Sequence, residues 1–281
     1  MIGYKVFDKN WKCKDYQYSC PGEFVMNEKP EICKIGFHFS PTMKDALFYK
    51  EFNYGCHIAK VEAIGDIVAD SDADGDNENE ITKYATNHLI VLEEVNFFDE
   101  WKKSLITDKV INFNDYEVRD IFHIGKKRFM VMDKTENYID IQPMNALFAA
   151  NMLNKNGGYC NSYEDTAVYH YLQENKDNML PSEYELIDVF IPSGEYISRF
   201  NWIDRARQMS ISQNNGYDYG TYWWLSTLSS VMVSNGFAFV DGSGRAYYAD
   251  ASASCGVVPI FRIKLKRSYH IFISPLSCMT I

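Results

Sequence analysis

The chain has 281 residues, of which 46% are hydrophobic and 15% aromatic, so it can bury a substantial core and is not expected to be disordered. Its formal net charge of -10 argues against a nucleic-acid partner, because phosphate backbones are bound by clustered Lys and Arg side chains. No apolar run reaches the length of a bilayer crossing and the first residues do not form a signal peptide, so we expect no membrane insertion and no cleaved leader.

The first part of the chain predicts short strands and one helix. Apolar and polar residues alternate, as in half-buried strands, in GYKVF, CHIAKVEAIGDIV and LIVLEEV. The stretch FHFSPTMKDALFYKEF predicts a strand that ends at Ser40, with Ser40 capping a helix whose first residue is Pro41. Residues 1–96 are therefore predicted to form a small α+β domain with a docking or support role.

The polar, charge-mixed residues 97–113 predict a helix and a linker, and we place a domain boundary there. Within residues 114–281, the stretch VRDIFHIGKKRFMVMDKTENYIDIQP predicts two or three strands. A helix capped by Ser162 is predicted next, and turn residues at 234–236 and 241–244 predict hairpins. The expected fold class is α+β with two domains.

The stretch YWWLST contains adjacent tryptophans, Trp223 and Trp224. Successive side chains of a strand point to opposite faces, so one tryptophan is expected in the core and its neighbour on a visible surface. The residues between Ser226 and Ser254 are mostly small, polar or aromatic, as in adaptable recognition surfaces. The candidate ligand-binding residues are Trp223, Trp224, Ser229, Asn235, Phe237, Phe239, Arg245, Tyr247 and Tyr248.

The acidic stretch DSDADGDNENEI begins like an EF-hand calcium loop but has Ile81 at the twelfth position, where that loop needs a glutamate. Strands rather than helices are expected on either side, which favours a solvated hairpin loop and leaves calcium as an alternative. The candidate calcium ligands are Asp70, Asp72, Asp74, Asp76 and Glu78.

The cysteines show no C-x-x-C pair and no histidine at zinc-finger spacing, so a zinc site and a disulfide framework are both disfavoured. Reduced and mostly buried thiols are expected instead.

Residues 3–95 resemble a small domain of unknown function that is common in phage and gut-bacterial proteins. The resemblance is carried by GYKVFDKNWKC, YSCPGEF, EICKIGFHFS and AKVEAIGDIV, in that order. It brings no activity with it.

The arrangement of GFHFSPTMKDALFY and NEITKYATNHLIVLEEV also resembles the strand-and-helix core of ADP-ribosyltransferases. That resemblance implies NAD as a cofactor, with Ser40 on the strand beside the nicotinamide and Glu80 orienting a ribose hydroxyl. Lys5 stands where that family has Arg or His, and the family's Ser-Thr-Ser pattern is here Phe-Ser-Pro.

The region from about Asn114 to Arg267 resembles C-type-lectin-like domains related to sulfatase-modifying factors and to variable proteins of diversity-generating retroelements. The resemblance is carried by DIFHIGKKRFMVMD, MLPSEYEL, YWWLST, FVDGSGRAYYADAS and GVVPIFRI. The resemblance implies that the YWWLST strand anchors the fold and that the hairpins after it display a surface. The sugar-holding triplets of calcium-dependent lectins and the oxidising cysteine pair of the formylglycine-generating relatives are missing.

The expected function is a non-enzymatic binding protein, a phage or prophage virion component made in the bacterial cytoplasm, whose C-type-lectin-like domain contacts a cell-surface glycan or protein. One alternative is an ADP-ribosyltransferase-like enzyme that uses NAD through the N-terminal domain. The other is an architectural protein packed among virion proteins. No cofactor is expected beyond the NAD or calcium of these alternatives, and a homo-oligomer is left open.

Overall fold

The computed structural model describes residues 1–50, 52–70, 81–201, 222–229 and 236–265. Its first part, up to residue 104, is built of short strands and two helices. In chain order these are β1 (Ile2–Phe7), β2 (Lys12–Cys13), β3 (Tyr16–Gln17), β4 (Gly22–Val25), β5 (Phe37–Phe39), α1 (Met43–Tyr49), β6 (His57–Ala63), β7 (Ile67–Ala69), β8 (Tyr84–Thr86), β9 (His88–Glu94) and α2 (Phe97–Ser104). The strands predicted by alternation are confirmed as β1, β6 with β7, and β9.

Two antiparallel sheets form this part, in the orders β1-β6-β9-β4 and β5-β8-β7, with β2 and β3 as a separate hairpin. The sheets are joined where Tyr4 and Ser40 exchange two backbone hydrogen bonds, with N···O distances of 2.7 and 2.9 Å. Gly3, Lys5 and Phe7 share one face of β1 and are all buried, because side chains alternate along a strand. A lysine therefore points inward at the junction of the two sheets.

Helix α1 does not begin where the sequence predicted. Its N-cap is Thr42, whose side-chain oxygen accepts a hydrogen bond from the backbone N–H of Asp45 at 3.1 Å. The predicted cap, Ser40, is instead held in extended backbone by its bridge to Tyr4. The prediction of Ser40 as the cap, with Pro41 as the first helical residue, is therefore wrong by two residues.

The second part of the described chain is also rich in strands. Its elements are β10 (Ile121–Ile124), β11 (Lys127–Lys134), β12 (Tyr138–Pro143), β13 (Phe148–Ala150), α3 (Ala167–Glu174), β14 (Leu186–Phe190), α4 (Gly194–Ser198), β15 (Trp223–Leu228), β16 (Gly236–Val240), β17 (Ala246–Asp250), β18 (Cys255–Val257) and β19 (Ile260–Lys264). The predicted group of two or three strands is confirmed as the three strands β10, β11 and β12. Helix α3 is capped by Thr166, whose hydroxyl oxygen accepts from the N–H of Tyr169 at 3.1 Å, and not by Ser162 as predicted.

These strands make two five-stranded sheets, in the orders β10-β11-β12-β19-β14 and β13-β18-β15-β16-β17. Within the second sheet, β15 runs parallel to β18 and antiparallel to β16. The turn at 241–244 joins the antiparallel pair β16 and β17, which confirms that predicted hairpin. The fold is thus a sheet-rich mixture of strands and short helices, compatible with the predicted α+β class.

The hydrophobic core is continuous across residues 97–113, where the sequence predicted a domain boundary. Helix α2 buries Phe97, Phe98 and Trp101, and the Trp101 indole N–H donates to the carbonyl of Met179 at 3.0 Å. One core cluster contains Ile58 from the first part of the chain together with Phe261 from the second. The helix predicted within residues 97–113 is therefore present as α2 and is packed into the core, and the division into two domains stays a prediction.

The six described cysteines are free thiols. Cys160 and Cys255 are buried, Cys33 is exposed, and the other three are half-buried. The expectation that most would be buried is therefore wrong. No helix in the described part of the chain is long and apolar enough to cross a membrane.

Candidate functional site

A cavity of about 560 Å³ opens beside β1 and β5, with the β2–β3 hairpin and the end of α1 completing its walls. Among the described residues that line it are five lysines and one carboxylate, Asp15. The lysines are Lys5, Lys14, Lys34, Lys50 and Lys83. Lys34 is paired with the carboxylate of Glu31 and Lys83 with that of Asp70, so the positive charge that this wall offers to an anion, in a chain with a net charge of -10, comes mainly from Lys14 and Lys50.

Lys5 lies in this wall with only 5% of its surface exposed. Its ammonium Nζ donates to the backbone carbonyl of His38 at 2.6 Å and sits 5.3 Å from the ring centroid of Tyr18 and 5.8 Å from that of Phe7. None of the ion pairs formed between described residues includes Lys5. Burial lowers the pKa of the Lys5 amine, because a charged group loses hydration there, and the nearby Lys50 charge acts in the same direction.

The pKa of His38 is also affected by the positive charges of this cavity. Its Nε2 accepts a hydrogen bond from the backbone N–H of Cys33 at 2.9 Å, so this nitrogen carries no proton. Burial, together with the charges of Lys5 and Lys83, lowers the pKa of His38 to about 4. His38 is therefore neutral at neutral pH and adds no charge to the cavity.

The rim of the cavity is formed by Lys83 and Tyr49 on one side. The Lys83 ammonium lies 3.2 Å from the carboxylate of Asp70, donates to the Cys33 sulfur at 3.1 Å and sits 4.4 Å from the Tyr49 ring centroid. These contacts hold Lys83 in place on the rim.

Aromatic rings supply the apolar part of the wall. Tyr16 is 43% exposed and packs edge-on against Phe37, with ring centroids 5.3 Å apart. The aromatic residues lining the cavity are Tyr4, Tyr16, Tyr18, Phe37, Phe39 and Tyr49. Lysines and rings in one wall can pair with an anionic group and pack against a planar ring of the same ligand.

The structure brings two residues of the ADP-ribosyltransferase resemblance together. Ser40 is buried and lines the same cavity as Lys5, because its backbone is bonded to the neighbouring Tyr4. The third residue, Glu80, lies outside the described residues, so its position in the site stays a prediction.

The calcium candidates are only partly described. Asp70 is paired with Lys83, whereas Asp72, Asp74, Asp76 and Glu78 lie outside the described residues. Antiparallel strands β7 and β8 flank the acidic segment, which confirms that strands rather than helices bracket it. No group of His, Cys, Asp or Glu side chains among residues 1–50, 52–70, 81–201, 222–229 and 236–265 is arranged to hold a metal ion.

Both tryptophans of YWWLST are fully buried, so the prediction that one of them is visible is wrong. They do point to opposite faces of β15, as alternation requires. Trp223 packs with Ile197 of α4 and Val258, while Trp224 donates its indole N–H to the carbonyl of Ala150 at 2.7 Å. Both faces of β15 are covered by other residues. Its alternating side chains therefore enter two different hydrophobic clusters, and neither face of this strand is a surface.

Phe237 is also fully buried and Phe239 is half-buried, so Phe237 offers no ring to a ligand. Ser229 is half-buried and its N–H donates to the carbonyl of Gly236 at 2.8 Å. Asn235 lies outside the described residues.

Three of the predicted ligand-binding residues are exposed: Arg245, Tyr247 and Tyr248. They lie at the start of β17, the last strand of its sheet. The Tyr247 ring is 6.0 Å from that of Phe239, which in turn is 5.5 Å from that of Tyr222. Tyr248 points to the opposite face of the strand. Fewer of the predicted ligand-binding residues are exposed than expected, and ligand binding by them stays a prediction.

Sequence reasoning missed most of the cavity, including His38, Tyr16 and Tyr18. One signal was available: in GYKVF, Lys5 falls on the same strand face as Phe7, and a lysine on an inward face is unusual. The other wall residues come from separate segments without a common spacing.

Comparison with known proteins matches residues 1–102 to a family described as a domain of unknown function (DUF7666). No curated protein and no solved structure matches the chain. The resemblance of the N-terminal region to a domain of unknown function is therefore confirmed, whereas the lectin-like and ADP-ribosyltransferase-like resemblances stay predictions.

Proposed function

We propose that the chain is a binding protein whose cavity beside β1 and β5 takes an anionic small molecule with a planar ring, such as a nucleotide. The observation that carries the proposal is the wall of five lysines and one carboxylate in an otherwise acidic chain. Lys14 and Lys50, which take part in none of the ion pairs between described residues, lower the free energy of a bound anion. Its aromatic residues favour a ligand that is also flat.

The parts of such a ligand find different partners. Lys14 is exposed and Lys50 half-buried, which suits them to pair with a phosphate at the mouth of the cavity. Tyr16 exposes enough of its ring to pack against a base. NAD combines both features, and it is the cofactor that the placement of Ser40 and Lys5 in one cavity favours.

Calorimetric titration with NAD, ADP-ribose and AMP at low and high salt tests this function. We expect saturable binding that weakens about tenfold or more in the Lys14→Met/Lys50→Met double variant, because two cationic contacts are lost. Lys29→Met is the matched control, since Lys29 is exposed and does not line the cavity. Flat titrations with all three compounds, or equal weakening in the control, would contradict the proposal.

The NAD-using enzyme is tested separately by Glu80→Ala. Loss of NAD binding with AMP binding retained would support the ribose-orienting role implied for Glu80. Unchanged NAD binding would leave a binding cavity without that enzyme.

A second candidate function is recognition of a cell-surface glycan or protein by the exposed start of β17, as expected of a lectin-like virion component. The observation that favours it is the exposure of Tyr247 and Tyr248 on β17 and of Arg245 just before it, since tyrosine gives broad contact at a low cost in side-chain entropy.

For this candidate, the full chain is incubated with bacterial envelopes and a panel of purified glycans. Saturable binding should fall about tenfold in Tyr247→Ala/Tyr248→Ala, because two platform rings are removed. Ile106→Ala is the control, since Ile106 is 70% exposed and lies elsewhere. Absence of binding, together with presence of the protein in purified phage particles, would favour the architectural alternative.

A further inference from the structure

Lys5 has surroundings unlike those of an ordinary lysine. Its side chain is buried against the rings of Phe7 and Tyr18, and its amine bonds to a neutral carbonyl, that of His38. A lysine buried for structural reasons is usually paired with a carboxylate. Asp15, the one carboxylate among the described residues lining the cavity, forms no ion pair with it.

The titratable groups that face Lys5 act on it in both directions. The Cys13 thiol of β2 is hydrogen-bonded to the Lys5 amine and raises its pKa, against the larger effect of burial, which lowers it. Lys14 follows β2 and Lys50 follows α1, and both disfavour a positive charge on Lys5. His38 on β5 is neutral at neutral pH. Burial and the two cationic neighbours make the Lys5 amine easier to deprotonate than an ordinary lysine, and the neutral amine is the form in which lysine acts as a nucleophile.

We propose that Lys5 is an imine-forming lysine and that the cavity takes a phosphorylated aromatic aldehyde. This inference rests on the proposed function, namely that the cavity takes an anionic molecule with a planar ring. Lys14 and Lys50 pair with the phosphate, the aromatic wall packs against the ring, and the Lys5 amine meets the aldehyde carbon.

The reaction balances without an oxidant or reductant. The Lys5 nitrogen forms a bond to the aldehyde carbon, the carbon–oxygen double bond breaks, and the oxygen leaves as water with the two amine protons. The product is a carbon–nitrogen double bond between the ligand and Nζ. Because water can reverse this condensation, the adduct is held only while the ligand occupies the cavity.

Pyridoxal 5′-phosphate is a suitable probe, followed by borohydride reduction and peptide mapping by mass spectrometry. We expect saturable labelling of the peptide that contains Lys5, about tenfold faster than that of the exposed Lys29. Pyridoxine 5′-phosphate, which has the ring and the phosphate but no aldehyde, should protect Lys5. Labelling confined to exposed lysines, without saturation or protection, would overturn the inference.

Lys5→Arg is the matched variant, since arginine keeps a donor for the His38 carbonyl but forms no imine under these conditions. It should lose the label while still binding pyridoxine 5′-phosphate. Should this variant fail to fold, the site-resolved labelling and protection of the native chain decide the question alone. Binding of pyridoxine 5′-phosphate without a Lys5 adduct, or no binding of it while the nucleotides bind, would contradict only this inference. Absence of binding of this compound and of NAD, ADP-ribose and AMP would contradict the proposed function as well.

Discussion

Replacing Trp224 by alanine is expected to lower the free energy of unfolding by about 4 kcal/mol, because a fully buried indole is lost and a cavity is left behind. The loss also removes the hydrogen bond from the indole N–H to the carbonyl of Ala150. Urea unfolding followed by tryptophan fluorescence and circular dichroism measures the change.

The control for this change is Tyr248→Ala, which removes an aromatic side chain that is 47% exposed on β17. It should change the free energy of unfolding by about 0.5 kcal/mol or less, as surface substitutions usually do. If Trp224→Ala cost as little as this control, Trp224 would belong to a surface, as the sequence analysis expected of one tryptophan.

Lowering the pH from about 8 to about 5 is expected to remove about 2 kcal/mol of folding stability through His38 alone. The pKa of His38 is about 4 in the folded chain, against an ordinary value of 6.5 for the unfolded chain. Between these values the unfolded chain takes up a proton that the folded chain does not, so stability falls as the pH falls. The contribution is fully present above the unfolded pKa.

Urea unfolding across this pH range, compared between the native chain and His38→Gln, isolates the effect. Other carboxyl and imidazole groups titrate equally in both proteins and cancel in the difference. Parallel pH profiles for the two proteins would show that His38 is not held neutral in the cavity.

The strands of this fold were predictable where one face is buried and the other is not. Alternation in β1, β6 and β9 located those strands directly. The helix caps were less predictable, because Ser40 and Thr42 are both good capping residues. The choice between them is made by the bridge from Ser40 to Tyr4, a contact between distant parts of the chain.

The prediction that one tryptophan would be exposed is wrong for a different reason. Periodicity correctly placed Trp223 and Trp224 on opposite faces of β15, but a local pattern says nothing about what covers the second face. Here Ile197 and Val258 cover it. The candidate cavity was harder still to predict from the sequence, since its wall is assembled from strands, a hairpin and a helix end that meet only after folding.

Strand β13 connects the two parts of the chain through hydrogen bonds. The carbonyl of Ala149 accepts a hydrogen bond from the N–H of Phe52, and the carbonyl of Ala150 accepts one from Trp224. Heating that loosens either part removes partners from the other, so both are expected to melt in a single cooperative transition. A ligand bound in the cavity beside β1 would then raise the temperature at which β15 unfolds as well. The free energy of ligand binding stabilises every element that unfolds in the same transition.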